Sequence, residues 1–157
     1  DNLWLGATIV NREEMLRDGP KLKRVPALVH FWSCEPLLGD LGEIPSELIP
    51  HWIIAGGESG PGARPMHPDW ARSLRDECEA AGVPFLFKQW GHWQIASRAN
   101  GHYDSDMARN SAVWLDHDGT TAKPSSLGMT NAYAMAPVGK KAAGRLLDGR
   151  TWDGVPA

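Results

Sequence analysis

The chain has 157 residues, enough for one domain with a substantial core, since a domain of this size buries roughly two-thirds of the surface that its unfolded chain exposes. Hydrophobic residues make up 42% and charged residues 22%, which excludes a wholly disordered chain and a coiled coil, and the apolar runs are too short for a membrane-spanning helix. The net charge of -3 argues against bulk attraction to nucleic acid and leaves room for a local basic patch. The two cysteines, Cys34 and Cys78, lie far apart and form no metal motif by themselves, so we expect a soluble protein of the reducing cytoplasm.

Four short apolar runs occur in the first part of the chain. Continuous runs of this length predict strands that are buried on both faces, which is typical of a parallel sheet covered by helices. The runs are Leu3–Val10, Ala27–Trp32, Trp52–Ala55 and Pro84–Phe87. The repeated order of strand, crossover and strand predicts an α/β fold.

Two of the crossovers carry helix signals. Asn11 is a favoured capping residue for a short helix that begins at Arg12, and we predict that Gly19–Pro20 ends this helix. The clearest helix begins at Pro68, because proline is favoured at the first helical position, and ends at Gly82. The remaining crossover, residues 35–50, is too rich in Pro and Gly for a long helix.

The pattern changes after residue 93, so we divide the chain into a parallel-sheet unit, residues 1–93, and an irregular C-terminal extension, residues 94–157. Within the extension, Val113–Leu115 followed by the turn sequence Asp116–Gly119 predicts a hairpin. A short final helix is predicted over Lys140–Leu147. No internal repeat is found.

Charged side chains follow three of the predicted strands. Functional groups gather at the carboxyl ends of parallel strands, so we expect Glu35, Glu58 and Lys88 to converge on one rim as catalytic residues. A lysine between two carboxylates keeps both ionised, whereas two facing carboxylates without it raise the pKa of one. Either arrangement suits acid–base catalysis or the binding of a cationic ligand. The alternative is that Glu35 and Glu58 form structural ion pairs with Lys88 or Arg64.

The candidates for substrate binding lie around a glycine-rich turn and the end of the fourth strand. Gly57 and Gly60 allow a turn whose amides, together with Arg64, form an anion-binding nest. Gln89 is expected on the same rim, and Trp90 is suited to stacking on a base. The alternatives are a plain tight turn and a packed tryptophan, because the turn lacks the spacing of a dinucleotide-binding motif, a P-loop or a hydrolase elbow.

The six histidines show no spacing typical of metal ligands, so we predict no bound metal. His30 lies inside a predicted strand. We expect it to be packed or hydrogen-bonded rather than to act as a ligand.

Five segments together resemble the phage gene-product 37/68 family, whose members occur in phages and bacterial genomes and have no assigned function. The resemblance covers essentially the whole chain, and the segments occur here in the order of the family. They are Asn2–Gly6, Glu35–Gly39, Gly56–His67, Lys88–Gly91 and Gly139–Arg145.

Full-length members of that family look like radical-SAM proteins, so the resemblance implies a partial (β/α) barrel of which this chain is the C-terminal half. It also implies an N-terminal cysteine segment for an iron–sulfur cluster that binds S-adenosylmethionine. Cys34 and Cys78 cannot replace that segment, because such a cluster needs three closely spaced thiolates. We therefore expect no cofactor in this chain itself, and no complete active site in the chain on its own.

The function implied is the substrate side of a radical-SAM-like enzyme, with Glu35, Glu58, Arg64, Lys88 and Gln89 facing a nucleic acid or nucleotide. One alternative is a non-catalytic module that binds nucleic acid or another anionic partner through the glycine-rich turn and Arg64. A third is a metal-free acid–base enzyme that uses Glu35 and Glu58. A half barrel also exposes sheet edges and an apolar face, so we expect association with the missing half or with a second copy.

Overall fold

The computed structural model describes residues 2–98, 112–122 and 132–157. These parts of the chain form eight strands and three helices. In chain order they are β1 Trp4–Thr8, α1 Arg12–Lys23, β2 Val29–Cys34, β3 Trp52–Gly56, α2 Pro68–Ala81, β4 Phe85–Gln89, β5 Trp93–Arg98, β6 Val113–Leu115, β7 Thr121–Ala122, β8 Tyr133–Pro137 and α3 Lys140–Ala143. No helix in these ranges is long and apolar enough to cross a membrane.

The first four strands form one parallel sheet in the order β1-β2-β3-β4. This confirms the predicted α/β class and the four apolar runs as neighbouring parallel strands. One face of the sheet carries the main core, in which Trp32, Ile53 and Phe87 pack with Met15 of α1 and Leu74 of α2. Both longer helices therefore cover the same face.

The opposite face of this sheet, which we call the open face, is less buried. Trp4 is 44% exposed, Phe31 and Trp52 are half-buried, and so are Ile54 and Leu86. The prediction that the strands are buried on both faces is therefore wrong for the described residues, because α1 and α2 pack on the same side. An apolar surface remains on the open face.

Gly6 and Phe31 lie opposite each other in the register of β1 and β2. The Phe31 ring lies directly over Gly6, so close that a β-carbon at residue 6 would overlap it. A side chain at residue 6 would therefore have to displace the Phe31 ring, and glycine leaves the ring its place.

Helix α1 differs from its predicted end. Asn11 caps it as predicted, with its side chain accepting a hydrogen bond from the amide of Glu14. The helix then continues through Gly19 and Pro20 to Lys23, so the predicted stop is wrong. Gly19 is buried close to Trp32 and Leu48, and Leu22 is buried in the next turn. Packing of this face against the core outweighs the weak local propensity of Gly-Pro.

Helix α2 follows the prediction closely. Pro68 occupies its first turn, and His67 caps it by accepting a hydrogen bond from the Asp69 amide. Gly82 ends it in the left-handed conformation, with a φ of 67°. The helix is thus specified locally at both ends.

The C-terminal extension contains a second sheet. Strands β5, β8, β6 and β7 pair antiparallel in that order, and Leu115, Tyr133 and Met135 form a small core on it. The expected hairpin is confirmed as the β6–β7 pair. The described part of the extension is more regular than expected, because Tyr133–Pro137, rich in alanine, forms a buried strand without a strong β signal. Residues 99–111 and 123–131 of the extension lie outside the described residues.

Helix α3 is shorter than predicted, since Gly144 takes a φ of 71° directly after Ala143. The chain then returns to the first sheet. The segment Trp152–Gly154, here called the tail, lies antiparallel along the outer edge of β4. The Phe87 amide donates to the Trp152 carbonyl at 2.9 Å, and the Gly154 amide donates to the Phe85 carbonyl at 2.9 Å.

Candidate functional site

A cleft of about 420 Å³ lies on the open face at the carboxyl ends of β2, β3 and β4. This is the end of a parallel sheet at which α/β proteins bind their ligands. The residues that line it are Ser33, Glu35, Ile54, Leu86, Lys88, Arg145 and Asp153. We call it the Glu35 cleft.

The Glu35 carboxylate is held from two sides. Its Oε2 accepts a hydrogen bond from Lys88 Nζ at 2.8 Å, and its Oε1 accepts one from Gln89 Nε2 at 2.9 Å. It also passes over Gly56, where a β-carbon would lie 3.2 Å from Oε1. A carboxylate can accept about four hydrogen bonds, so Glu35 keeps capacity for donors of a ligand while its orientation is set by the protein.

Gln89 lies beneath Glu35 and is only 5% exposed. Its Nε2 is also 3.3 Å from the Gly57 carbonyl oxygen, so the amide group bridges the ends of β2 and β3. Its Oε1 has no hydrogen-bond partner in the described part of the chain. The sequence led us to expect Gln89 as a substrate-binding residue. In the structure its side chain is buried and positions Glu35.

Glu58 forms a separate pair with Arg64. Its Oε2 accepts from the Arg64 amide at 2.7 Å and from Arg64 Nε at 2.9 Å, and its Oε1 accepts from the guanidinium at 2.9 Å. These bonds lower the pKa of Glu58 to about 2 and raise the pKa of Arg64. Of the predicted catalytic trio, the structure brings Glu35 and Lys88 together, whereas Glu58 pairs with Arg64 in the manner of the structural alternative.

Two predicted substrate-binding residues, Gly57 and Gly60, lie in the glycine-rich turn. The amide of Gly57 donates to the Gln89 carbonyl at 2.9 Å, and a β-carbon on Gly57 would overlap the backbone of Trp90. Gly57 is thus required for close packing of the strand ends. Gly60 has a φ of 99° and open space around it, as a turn residue does.

Trp90 is 5% exposed and packs against Phe87. Its backbone amide donates to the Gly144 carbonyl at 3.1 Å, and its indole Nε1 donates to the Leu146 carbonyl at 2.8 Å. The ring is therefore a core residue and not a surface for stacking a base. Its two N–H groups fix the chain on both sides of Arg145.

Arg145 and Asp153 form an ion pair in the Glu35 cleft, and neither was among the predicted site residues. Arg145 ends the last segment of the family resemblance, which is the one sequence signal that could have identified it. Asp153 has no such signal, whereas Ser33 directly follows the second apolar run and so lies where functional groups were expected. They enter the cleft because the tail pairs with β4 and because Ser33 faces the open side of β2.

The residues present do not fit an iron–sulfur cluster. Cys34 and Cys78 are both buried, and burial raises the pKa of both thiols, that of Cys78 to about 12. Cluster ligation requires thiolates. The residues that the structure describes also contain no group of three His, Cys, Asp or Glu side chains placed to hold a metal ion.

Comparison with known protein families gives a match over residues 1–156 to the family described as "Protein of unknown function (DUF5131)". Neither the curated proteins nor the solved structures contain a significant match. Because the match covers all but the last residue, the chain belongs to the DUF5131 family, whose function is unknown.

Proposed function

We propose that this chain forms the substrate-facing part of a radical-SAM-like (β/α) barrel enzyme of phage or prophage origin, and that its substrate is a nucleotide or a nucleic acid. The observation that carries the proposal is the position of the Glu35 cleft on the open face at the carboxyl ends of the strands. In a (β/α) barrel that face is the interior, and that end holds the active site.

The open face supports the barrel. Parallel sheets are normally covered on both faces, yet Trp4 is exposed and Phe31, Trp52, Ile54 and Leu86 are only partly buried. Further (β/α) units that continue the sheet beyond β1 and curl over this face would bury these side chains. A second copy of the chain is the competing partner for the same surface.

The chain's own residues supply substrate contacts and no cluster ligands. Ile54 and Leu86 give the cleft an apolar floor, and Glu35 offers acceptors for the amino or ring N–H groups of a base. Lys88 places an ammonium group beside that carboxylate. The radical-SAM assignment itself is supported by the five segments of the family resemblance.

The two alternatives have less support from the geometry. An anion at the glycine-rich turn would have to compete with Glu58, which already binds both the amide and the guanidinium of Arg64. An acid–base pair of Glu35 and Glu58 is disfavoured because each carboxylate has its own cationic partner. We therefore place the substrate at the Glu35 cleft.

Binding of nucleosides and single-stranded oligonucleotides, followed by amide NMR shifts, tests the substrate class. We expect the shifts to centre on Gly56 and Lys88, to be lost in Glu35→Gln, and to persist in Glu13→Gln, a matched change at an exposed glutamate of α1. Shifts centred on Gly60 and Arg64 would instead favour the anion-binding module. No shift with any of these ligands would overturn the proposed substrate class.

The enzyme class needs a second test. The protein is expressed together with whatever the source genome encodes immediately upstream of this segment, and it is reconstituted anaerobically with iron and sulfide. An iron–sulfur absorption band and a spectral change on addition of S-adenosylmethionine are expected. A gene without a cysteine triplet, or a protein that takes up no cluster, would contradict the radical-SAM assignment.

A further inference from the structure

Two cations and two carboxylates line the Glu35 cleft, as the pairs Lys88–Glu35 and Arg145–Asp153. We propose that Arg145 and Lys88 form a phosphate-binding site, and that Asp153 occupies the Arg145 side of it until a phosphate group displaces it. This inference rests on one part of the proposed function, namely that the Glu35 cleft is the substrate site.

Both cations are accessible. The side chains of Lys88 and Arg145 are 54% and 48% exposed, and both face the same cleft. A guanidinium presents paired N–H groups that match two phosphate oxygens, and an ammonium adds a point charge. The pair is therefore suited to a phosphate monoester or diester.

Arg145 is held in place by the core beneath it. Trp90 donates its amide to the Gly144 carbonyl and its indole N–H to the Leu146 carbonyl, so the residues on either side of Arg145 are both anchored. Trp90 is thus a positioning residue for Arg145. Because the backbone around Arg145 is already fixed, ligand binding has to order only the arginine side chain, which lowers the entropy cost of binding.

The two carboxylates are held unequally. Glu35 is 18% exposed and has the buried Gln89 as a second donor, so its position does not depend on Lys88 alone. Asp153 is 57% exposed, and Arg145 is its one side-chain partner in the described part of the chain. An exposed ion pair of this kind contributes little to stability. A phosphate group can therefore replace Asp153 at Arg145. At Lys88 it would share the ammonium group with Glu35, which Gln89 continues to hold from the other side.

The test uses calorimetry with pyrophosphate, adenosine, adenosine monophosphate and a single-stranded oligodeoxythymidylate. Asp153→Asn is expected to raise the affinity for pyrophosphate about fivefold, because a competing charge is removed. Arg145→Met and Lys88→Met are expected to lower it about tenfold each. Asp18→Asn and Arg17→Met are matched controls, because Arg17 and Asp18 form a similar ion pair on α1, and both should leave the affinity unchanged.

The outcomes separate the inference from the proposed function. A loss of affinity in Asp153→Asn, or equal effects of the control variants, would overturn the inference. Adenosine shifts at the cleft with no pyrophosphate binding would overturn it while leaving the proposed substrate class intact. A third outcome is that the variants change the affinity for pyrophosphate as expected, while adenosine does not bind and adenosine monophosphate binds no more tightly than pyrophosphate. This outcome would support the inference and contradict a nucleotide substrate. Binding of the monophosphate and not of the oligonucleotide identifies a free nucleotide as the source of the phosphate.

Discussion

The backbone of Trp90 lies so close to Gly57 that a β-carbon at residue 57 would overlap the Trp90 carbonyl group. Gly57→Ala forces the ends of β3 and β4 apart, so we expect a loss of about 3 kcal/mol in the free energy of unfolding, the upper part of the usual range for overpacking. Urea denaturation followed by tryptophan fluorescence measures this loss.

Gly19→Ala is the matched control for that change. The nearest side-chain atom would lie 3.6 Å from the new β-carbon, an ordinary contact, and residue 19 lies inside α1. Alanine should therefore stabilise the protein by about 0.5 to 1 kcal/mol. If Gly57→Ala proved as well tolerated as Gly19→Ala, the close packing of the strand ends would be contradicted.

The Glu58–Arg64 pair predicts a specific acid response. Arg64 lowers the pKa of Glu58 from an ordinary 4.5 to about 2. The unfolded chain takes up this proton at higher pH than the folded one, so the contribution of the pair is complete above pH 4.5 and is lost as the pH falls towards 2. The free energy of unfolding should therefore fall more steeply over this interval in the wild type than in Glu58→Gln.

Carboxyl NMR identifies the residue responsible. The Glu58 resonance should titrate near pH 2 in the wild type and return towards 4.5 in Arg64→Met, since the largest cause of the shift is the side-chain hydrogen bond to Arg64. Arg17→Met is expected to leave it unchanged. An ordinary titration of Glu58 in the wild type would show that the pair does not form in solution.

The two thiols should be unreactive in the folded protein. Cys34 and Cys78 are buried, and their raised pKa values keep both protonated at neutral pH. Labelling with an aromatic disulfide reagent should modify neither in native buffer and both in denaturant. Rapid labelling of either one in native buffer would reopen the question of a thiolate ligand within this chain.

The tail should detach when Gly154 is enlarged. A β-carbon at this residue would lie 2.7 Å from the Phe85 amide nitrogen, so Gly154→Ala pushes the tail away from β4. Hydrogen exchange at Phe87 reports this directly, because its amide donates to the Trp152 carbonyl. We expect protection of that amide to fall in Gly154→Ala and to persist in Val155→Ala, where the side chain is 58% exposed. Unchanged protection in both variants would contradict the pairing.

The first sheet and α2 could be predicted because their signals are local. The four strands show as continuous apolar runs, although only one face of the sheet is fully buried, and α2 carries its own start and stop residues in Pro68 and Gly82. The extent of α1 could not be predicted, since it depends on the burial of Gly19 and Leu22 against distant residues. Strand β8 was missed for a similar reason: its alanines acquire their role only through pairing with β5 and β6.

The candidate site was predicted in part. Glu35 and Lys88 could be expected on one rim because both follow apolar runs of the same parallel sheet, and their side chains meet across the end of β3. The spacing could not show that Arg64 would bind Glu58, nor that the tail would bring Asp153 to the cleft from the far end of the chain. Contacts of this kind depend on loop paths, for which a single sequence carries little information.

The position of the Phe31 ring over Gly6 affects the register in which β1 pairs with β2. Parallel strands are joined by long crossovers, so no tight turn dictates which residues face each other. Sliding β1 by one residue would place Leu5 or Ala7 opposite Phe31, and either side chain would also change faces of the sheet. Sliding it by two residues would bring Trp4 or Thr8 under the ring. Among these residues only Gly6 leaves room for the Phe31 ring where it lies. The absence of a side chain at residue 6 therefore favours the observed register of β1 and β2.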